Sequence, residues 1–193
     1  MNDDWFTAAV PTGHTLCLKL KLRPYALGHE ILLVRLGSPL AVGGPLRLPD
    51  DLILGAFLCS QTFEHAVESL HSPGLSLFFR LWRLRLRNVH WALELEIFNN
   101  YRRPALWLPE TNVPLKGRPL KSPIAIQMAA RLMRELHITE SEALNFPLAR
   151  ATAYLHALGD YDGTVDLLGP AEEALLAKLA ELDAAEGKEA MKS

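Results

Sequence analysis

Two helix starts follow one another with almost no loop between Thr139 and Ala151. Thr139 and Glu142 have the spacing of a capping box, in which each side chain satisfies a backbone N–H that the first helical turn leaves unpaired. Pro147 comes five residues after Glu142. Because proline costs no hydrogen bond at the first position of a helix, it predicts that a second helix begins there. The pattern therefore predicts a joint between two helices, and it contains no arrangement typical of an active site.

The hydrophobic content of the chain favours a folded protein. Of the 193 residues, 49% are hydrophobic, which is enough to bury a sizeable core. The longest apolar run, residues 52–59, is well short of the roughly 20 residues that a membrane helix needs. Residues 1–5 are not typical of a secretory signal. Cys17 and Cys59 lie outside any Cys-x-x-Cys pair, so we expect reduced, packed thiols in a cytoplasmic protein with no membrane segment.

Charge is divided unevenly along the chain. Residues 139–193 have a net charge of −7, whereas residues 1–138 have a net charge of +5. Such a division can steer a charged partner or orient copies of the protein against one another. The alternative is that both regions are simply solvated.

A short β element is predicted near residues 15 to 22. Period-two alternation there is typical of a half-buried strand, with four leucines on one side: Leu16, Leu18, Leu20 and Leu22. The backbone of this strand must pair with a second short strand, pair with a partner chain, or lie across helices. Together with the uneven charge, the strand predicts a homo-oligomer.

Helices are predicted for most of the N-terminal region. One runs from about Leu27 to Leu36 and ends at Gly37, and proline and glycine then predict an irregular loop over residues 38–49. Asp50 and Asp51 then open a helical run to Ser60, and a further helix spans Thr62 to Leu70.

The segment from Leu75 to Tyr101 contains neither proline nor glycine. Its length exceeds that of a usual strand and predicts one long helix. Residues 81–87 also alternate with period two, so a local strand is the alternative.

A proline-rich strap covers residues 104–122, where the proline content excludes regular structure through most of the segment. Leu106, Trp107 and Leu108 are too apolar for a free tether, and we expect them to bind a partner or pack along the protein surface. The boundaries predict a helical region over residues 1–103 and a helical subdomain over residues 123–193, together one mainly α domain.

Three amphipathic helices are predicted in the C-terminal region, the second ending at Gly159. Their apolar positions are, in order, Ala125, Met128, Ala129, Leu132, Met133 and Leu136; Leu148, Ala151, Leu155 and Leu158; and Leu175, Leu176, Leu179 and Leu182.

The residues that could perform chemistry do not form a complete constellation. Glu68 and His71 form a single Glu-x-x-His pair, whereas a di-iron bundle needs two. His90 and Glu94 share a helix face, as exposed pairs often do. We expect His29 to be a packed or capping histidine. No nucleophile motif or phosphate loop is present, so we predict a protein that is not an enzyme and needs no cofactor or metal.

Arginines alternate with apolar residues between positions 80 and 87 and could contact phosphates beside Trp82 and Trp91. The alternative, which we favour, is an amphipathic helix whose arginine stems cover apolar surface. A helix-turn-helix around His137 to Thr139 is also considered, but its second helix begins with carboxylates that would repel DNA. Nucleic acid is therefore not the expected partner, and Arg83 and Arg87 are candidates for protein binding.

Three blocks of the sequence, residues 22–29, 51–60 and 139–151, resemble small proteins encoded in the tail gene clusters of tailed phages and prophages. These blocks are similar to the tail assembly chaperone class. The resemblance implies a helical protein without cofactors that binds the apolar tape measure protein, or another tail protein, before the tail tube forms. A structural virion protein is the alternative within the same setting.

Overall fold

The computed structural model describes residues 15–106, residues 123–162 and residue 178. The described chain is mainly helical with one two-stranded hairpin, which confirms the predicted mainly α fold. Its elements in chain order are β1 (Leu16–Cys17), β2 (Leu20–Lys21), α1 (Leu27–Arg35), α2 (Pro39–Val42), α3 (Asp50–Cys59), α4 (Phe63–Leu70), α5 (Leu75–Arg85), α6 (Trp91–Arg102), a 3-10 helix (Arg103–Leu106), α7 (Ile124–Leu136), α8 (Glu140–Leu144) and α9 (Leu148–Tyr161).

The predicted single strand is wrong, because the chain turns back on itself as a tight hairpin. β1 pairs with β2 antiparallel, with Cys17 opposite Leu20. Leu18 and Lys19 form the turn with φ values of 51° and 63°, as a two-residue hairpin turn requires. The predicted apolar face is also wrong, since Cys17 and Leu18 are buried while Leu16 is 64% exposed. The hairpin pairs within the chain and no longer argues for self-association.

Glu94 on α6 holds the hairpin turn in place. Its carboxylate oxygen accepts the backbone N–H of Leu18 at 2.7 Å. The Cys17 thiol donates to the Glu94 carbonyl at 3.6 Å. Glu94 therefore has a structural partner 76 residues away in sequence.

α1 packs against α4, α7 and α8 and begins and ends close to the predicted residues. Its approach to α4 and α8 requires a glycine at position 28. A Cβ there would lie 2.5 Å from Cδ2 of Phe63 and 2.8 Å from the carbonyl oxygen of Leu144. After α1, Gly37 adopts the left-handed conformation with φ 63°, as predicted.

The joint between α8 and α9 has the predicted capping box. The backbone N–H of Thr139 donates to Glu142 at 2.8 Å, and the backbone N–H of Glu142 donates to the Thr139 hydroxyl at 3.3 Å. Pro147 lies immediately before α9, at the capping position. The backbone N–H of Leu148 then donates to the carbonyl of Tyr25 at 2.8 Å, so the joint is attached to the start of α1.

The single helix predicted from Leu75 to Tyr101 is wrong, because α5 and α6 are separated by residues 86–90. Leu86 is completely buried where α5 ends. His90 caps α6, and its Nδ1 accepts the backbone N–H of Leu93 at 3.3 Å. The alternative strand over residues 81–87 is wrong as well, since residues 81–85 are helical.

Several smaller boundaries differ from the predictions. The predicted loop over residues 38–49 contains the short helix α2, and α9 continues through Gly159 to Tyr161. The start of the strap, to Leu106, belongs to the 3-10 helix, while residues 107–122 lie outside the described residues. Of the third predicted C-terminal helix, Lys178 alone is described, and it is helical.

A buried ion pair connects α6 to α1. One guanidinium nitrogen of Arg102 lies 3.2 Å from a carboxylate oxygen of Glu30, and another donates to the carbonyl of Leu40. The Tyr25 hydroxyl donates to the same Glu30 oxygen at 2.5 Å, and Arg102 lies over the Tyr25 ring. Since the Arg102 side chain is only 7% exposed, this cluster is part of the core.

Candidate protein-binding surface

The titratable groups of the core have structural roles. His29 accepts the backbone N–H of Ala26 through Nδ1 at 3.1 Å, while its Nε2 lies 2.9 Å from the carbonyl of Gln61. Burial lowers the pKa of His29, which favours the neutral ring that these two bonds require. The structure confirms the prediction of a packed, capping histidine.

The two cysteines are free and buried, which confirms the prediction of packed thiols. Burial raises the pKa of both, and that of Cys59 reaches about 12. A thiol with so high a pKa is a poor nucleophile, because the thiolate is the reactive form.

The Glu-x-x-His histidine, and a carboxylate one helical turn before Glu68, make other contacts. Glu64 accepts hydrogen bonds from Ser141 at 2.5 Å and Asn145 at 3.0 Å. Nδ1 of His71 lies 2.8 Å from the carbonyl of Val67. Within residues 15–106 and 123–162, no three histidine, cysteine, aspartate or glutamate side chains are placed to share a metal ion.

α5 has an apolar stripe that faces away from the core. Leu77, Leu81 and Leu84 recur at intervals of four and three residues and therefore lie on one side of the helix. They are 60%, 58% and 72% exposed. Core-facing helices normally turn such a stripe inward, so an outward stripe on α5 indicates a binding surface.

Four exposed arginines border this stripe: Arg80, Arg83, Arg85 and Arg87. Arg83 forms a solvent-exposed ion pair with Asp50, with 3.3 Å between the nitrogen and the oxygen. α5 itself contains no acidic residue. We name Leu77, Phe78, Leu81 and Leu84 with these four arginines the arginine–leucine surface.

Aromatic side chains fix α5 on α3. The ring of Phe57 lies 5.2 Å from that of Phe78 and 5.4 Å from that of Phe79, between centroids. The Trp82 ring is buried beneath the helix, 5.1 Å from Phe78. Edge-on and tilted aromatic pairs of this kind add to the apolar burial. α5 is therefore anchored by its inner side and leaves the leucine stripe free.

Two grooves lie along the arginine–leucine surface. The larger has a volume of about 580 Å³, and its lining residues are Pro49, Arg80, Arg83, Leu84, Leu86, Arg87 and Trp91. The smaller has a volume of about 310 Å³ and lies between α5 and the hairpin turn, lined by Leu18, Lys19, Leu20, Phe78, Leu81, Trp82 and Arg85. Both grooves combine apolar walls with cations, and none of these lining residues is acidic. They fit a ligand that is apolar along one side and acidic at its edges.

The predicted partner-binding residues are separated in the fold. Arg83 and Arg87 line the larger groove, next to Trp91 at the start of α6. Leu106 is 55% exposed but follows the opposite end of α6, which is about 18 Å long. Trp107 and Leu108 lie outside the described residues. The arginines and Leu106 therefore belong to two different surfaces.

Sequence reasoning missed Leu77 and the outward direction of the α5 stripe. The spacing of Leu77, Leu81 and Leu84 was visible in the sequence. Because one helix was predicted up to Tyr101, its apolar side was expected to face the core along its whole length. The exposed stripe was therefore not recognised.

None of the helices in the described part of the chain is long and apolar enough to cross a membrane. Searches of family models, of curated proteins and of solved structures found no match to this chain.

Proposed function

We propose that the protein is a non-enzymatic assembly factor that binds another protein through the arginine–leucine surface. The observation that carries this proposal is the outward leucine stripe of Leu77, Leu81 and Leu84, bordered by arginines. A partner helix with its own apolar stripe can lie along such a surface, as amphipathic helices do in apolar grooves. The arginines then select partners with acidic residues beside that stripe.

The resemblance to the tail assembly chaperone class suggests the partner. We propose that it is a phage tail protein, and the tape measure protein in particular, held in the host cytoplasm before the tube forms. Apolar segments of a long unassembled protein are prone to aggregate, and a bound surface of leucines would shield them. Retention in the finished particle is the alternative proposal.

Co-expression with the tail proteins encoded by neighbouring genes tests this function. We expect the full chain to copurify with one of them and to keep it in the soluble fraction. Replacing Leu81 and Leu84 by serine should abolish copurification, because both side chains are exposed and line the two grooves.

The matched control replaces Leu36 and Val42, which are also exposed but lie outside the grooves, by serine. This variant should copurify as well as the wild type. Equal binding by both variants would refute the assignment of the surface, and the absence of any tail partner would refute the function.

A further inference from the structure

We propose that residues 171–187 of a second copy of the chain occupy the arginine–leucine surface when no other partner is bound. This inference rests on the proposed function, since it assigns an occupant to the same surface. It makes self-association and partner binding mutually exclusive.

The composition of residues 171–187 complements the arginine–leucine surface. The sequence predicts an amphipathic helix there, and Lys178 within it is helical and exposed. Its apolar positions are Leu175, Leu176, Leu179 and Leu182. Three of these, Leu175, Leu179 and Leu182, recur at intervals of four and three residues, as Leu77, Leu81 and Leu84 do on α5. Two such stripes can pack along one another with interlocking side chains.

Charge favours the same pairing. The segment has five carboxylates, Glu172, Glu173, Glu181, Asp183 and Glu186, and the single cation Lys178. The arginine–leucine surface has four arginines, one of which is already paired with Asp50. Opposite charges at the edge of an apolar contact fix its register and accelerate association.

A second copy, rather than the same copy, is the proposed occupant because the exchange can be reciprocal: each copy provides one segment and one arginine–leucine surface. Two such contacts then form at once and give a closed two-fold dimer.

Carbodiimide crosslinking of the full chain tests this contact, because the reagent joins a carboxylate to a lysine amine in direct contact. The residues that line the larger groove include no lysine, so R83K and R87K each place one amine there while keeping the charge. R35K is the matched control, since Arg35 is exposed at the end of α1. Each variant is prepared with and without ¹⁵N, and the two forms are mixed before crosslinking.

We expect position 83 or 87 to crosslink to carboxylates within residues 171–187, with ¹⁵N-to-¹⁴N pairs among the products. Position 35 should give no such crosslink, and the added changes L179S and L182S should remove those at 83 and 87. Crosslinks confined to pairs of the same isotope would overturn the second copy as occupant. Absence of any crosslink to residues 171–187 would overturn the contact itself.

The two proposals can fail separately. Crosslinking uses no tail protein, so its failure leaves copurification with a tail partner unaffected. Conversely, successful crosslinking without any tail partner would retain the self-contact and refute the proposed function. If both hold, adding the tail partner should reduce the crosslinks, because both ligands need the same surface.

Discussion

The side-chain amide of Asn145 donates to the carboxylate of Glu64, with Nδ2 at 3.0 Å from both carboxylate oxygens. The same side chain accepts the backbone N–H of Phe63 at 2.9 Å. Asn145 lies between α8 and α9, and Phe63 begins α4. The joint between two C-terminal helices is thereby attached to the start of an N-terminal helix.

Acid should weaken this attachment. Hydrogen bonds from Ser141 and Asn145 lower the pKa of Glu64 from 4.5 to about 2. A carboxyl group whose pKa is lower in the folded state contributes stability above pH 4.5, and this contribution is lost as the pH falls towards about 2. We expect E64Q to lower the free energy of unfolding at neutral pH and the difference from the wild type to shrink over this interval.

Urea denaturation of E64Q and the wild type across this pH range measures the effect. The control is E68Q, on the exposed side of the same helix. A difference between E64Q and the wild type that stays constant down to pH 2 would show that the carboxylate has no such role.

The hairpin turn provides a second prediction. Lys19 is exposed and has a positive φ, which costs a residue with a side chain roughly 1–2 kcal/mol. We expect K19G to raise the free energy of unfolding by about 1 kcal/mol. K21G, in β2 beside it, should instead lower it by about 0.5–1 kcal/mol. Thermal or urea denaturation measures both changes in the free energy of unfolding. Destabilisation by K19G would contradict the turn geometry.

The buried pair of Glu30 and Arg102 provides a third prediction. Removing one partner leaves a buried charge without compensation, so E30A should cost about 3–5 kcal/mol of unfolding free energy. The double variant E30A/R102M should recover much of this loss. R83A, which breaks the exposed pair with Asp50, should cost less than about 1 kcal/mol. Equal losses for E30A and the double variant would contradict this account of the pair.

The parts of the fold that were predicted correctly depend on local signals. Thr139 and Glu142 cap a helix wherever that sequence lies, and Gly37 takes a left-handed conformation that few other residues tolerate. The hairpin could not be predicted in the same way. Its turn uses Leu18 and Lys19 at positions where asparagine and glycine are typical. The turn is stabilised instead by the hydrogen bond from the Leu18 N–H to Glu94, on a helix distant in sequence.

The arginine–leucine surface was predictable only in part. Arg83 and Arg87 were selected from their charge, and they do line a groove. The direction of Leu81 and Leu84 depends on where α5 ends, and that depends on the burial of Leu86 and the cap at His90. These are tertiary interactions, which the spacing of apolar residues in the sequence does not reveal.

Nucleic acid should bind weakly. α8, the second helix of the alternative helix-turn-helix, has five residues and begins with Glu140, where DNA would approach. The arginines of α5 should give at most salt-sensitive, nonspecific contacts. Electrophoretic shifts over a range of salt concentrations measure this. Nanomolar binding at physiological salt that disappears in R83A/R87A would favour nucleic-acid binding over protein binding.

Hydrogen–deuterium exchange of the full chain, with and without a copurified tail protein, tests the central claim most directly. The claim is that α5, through its outward side, is the binding element. In the full chain with L179S and L182S, whose residues 171–187 no longer occupy the surface, we predict that the partner slows exchange across residues 75–87 and leaves α1 and α7 unchanged. Slower exchange elsewhere, with residues 75–87 unaffected, would contradict it.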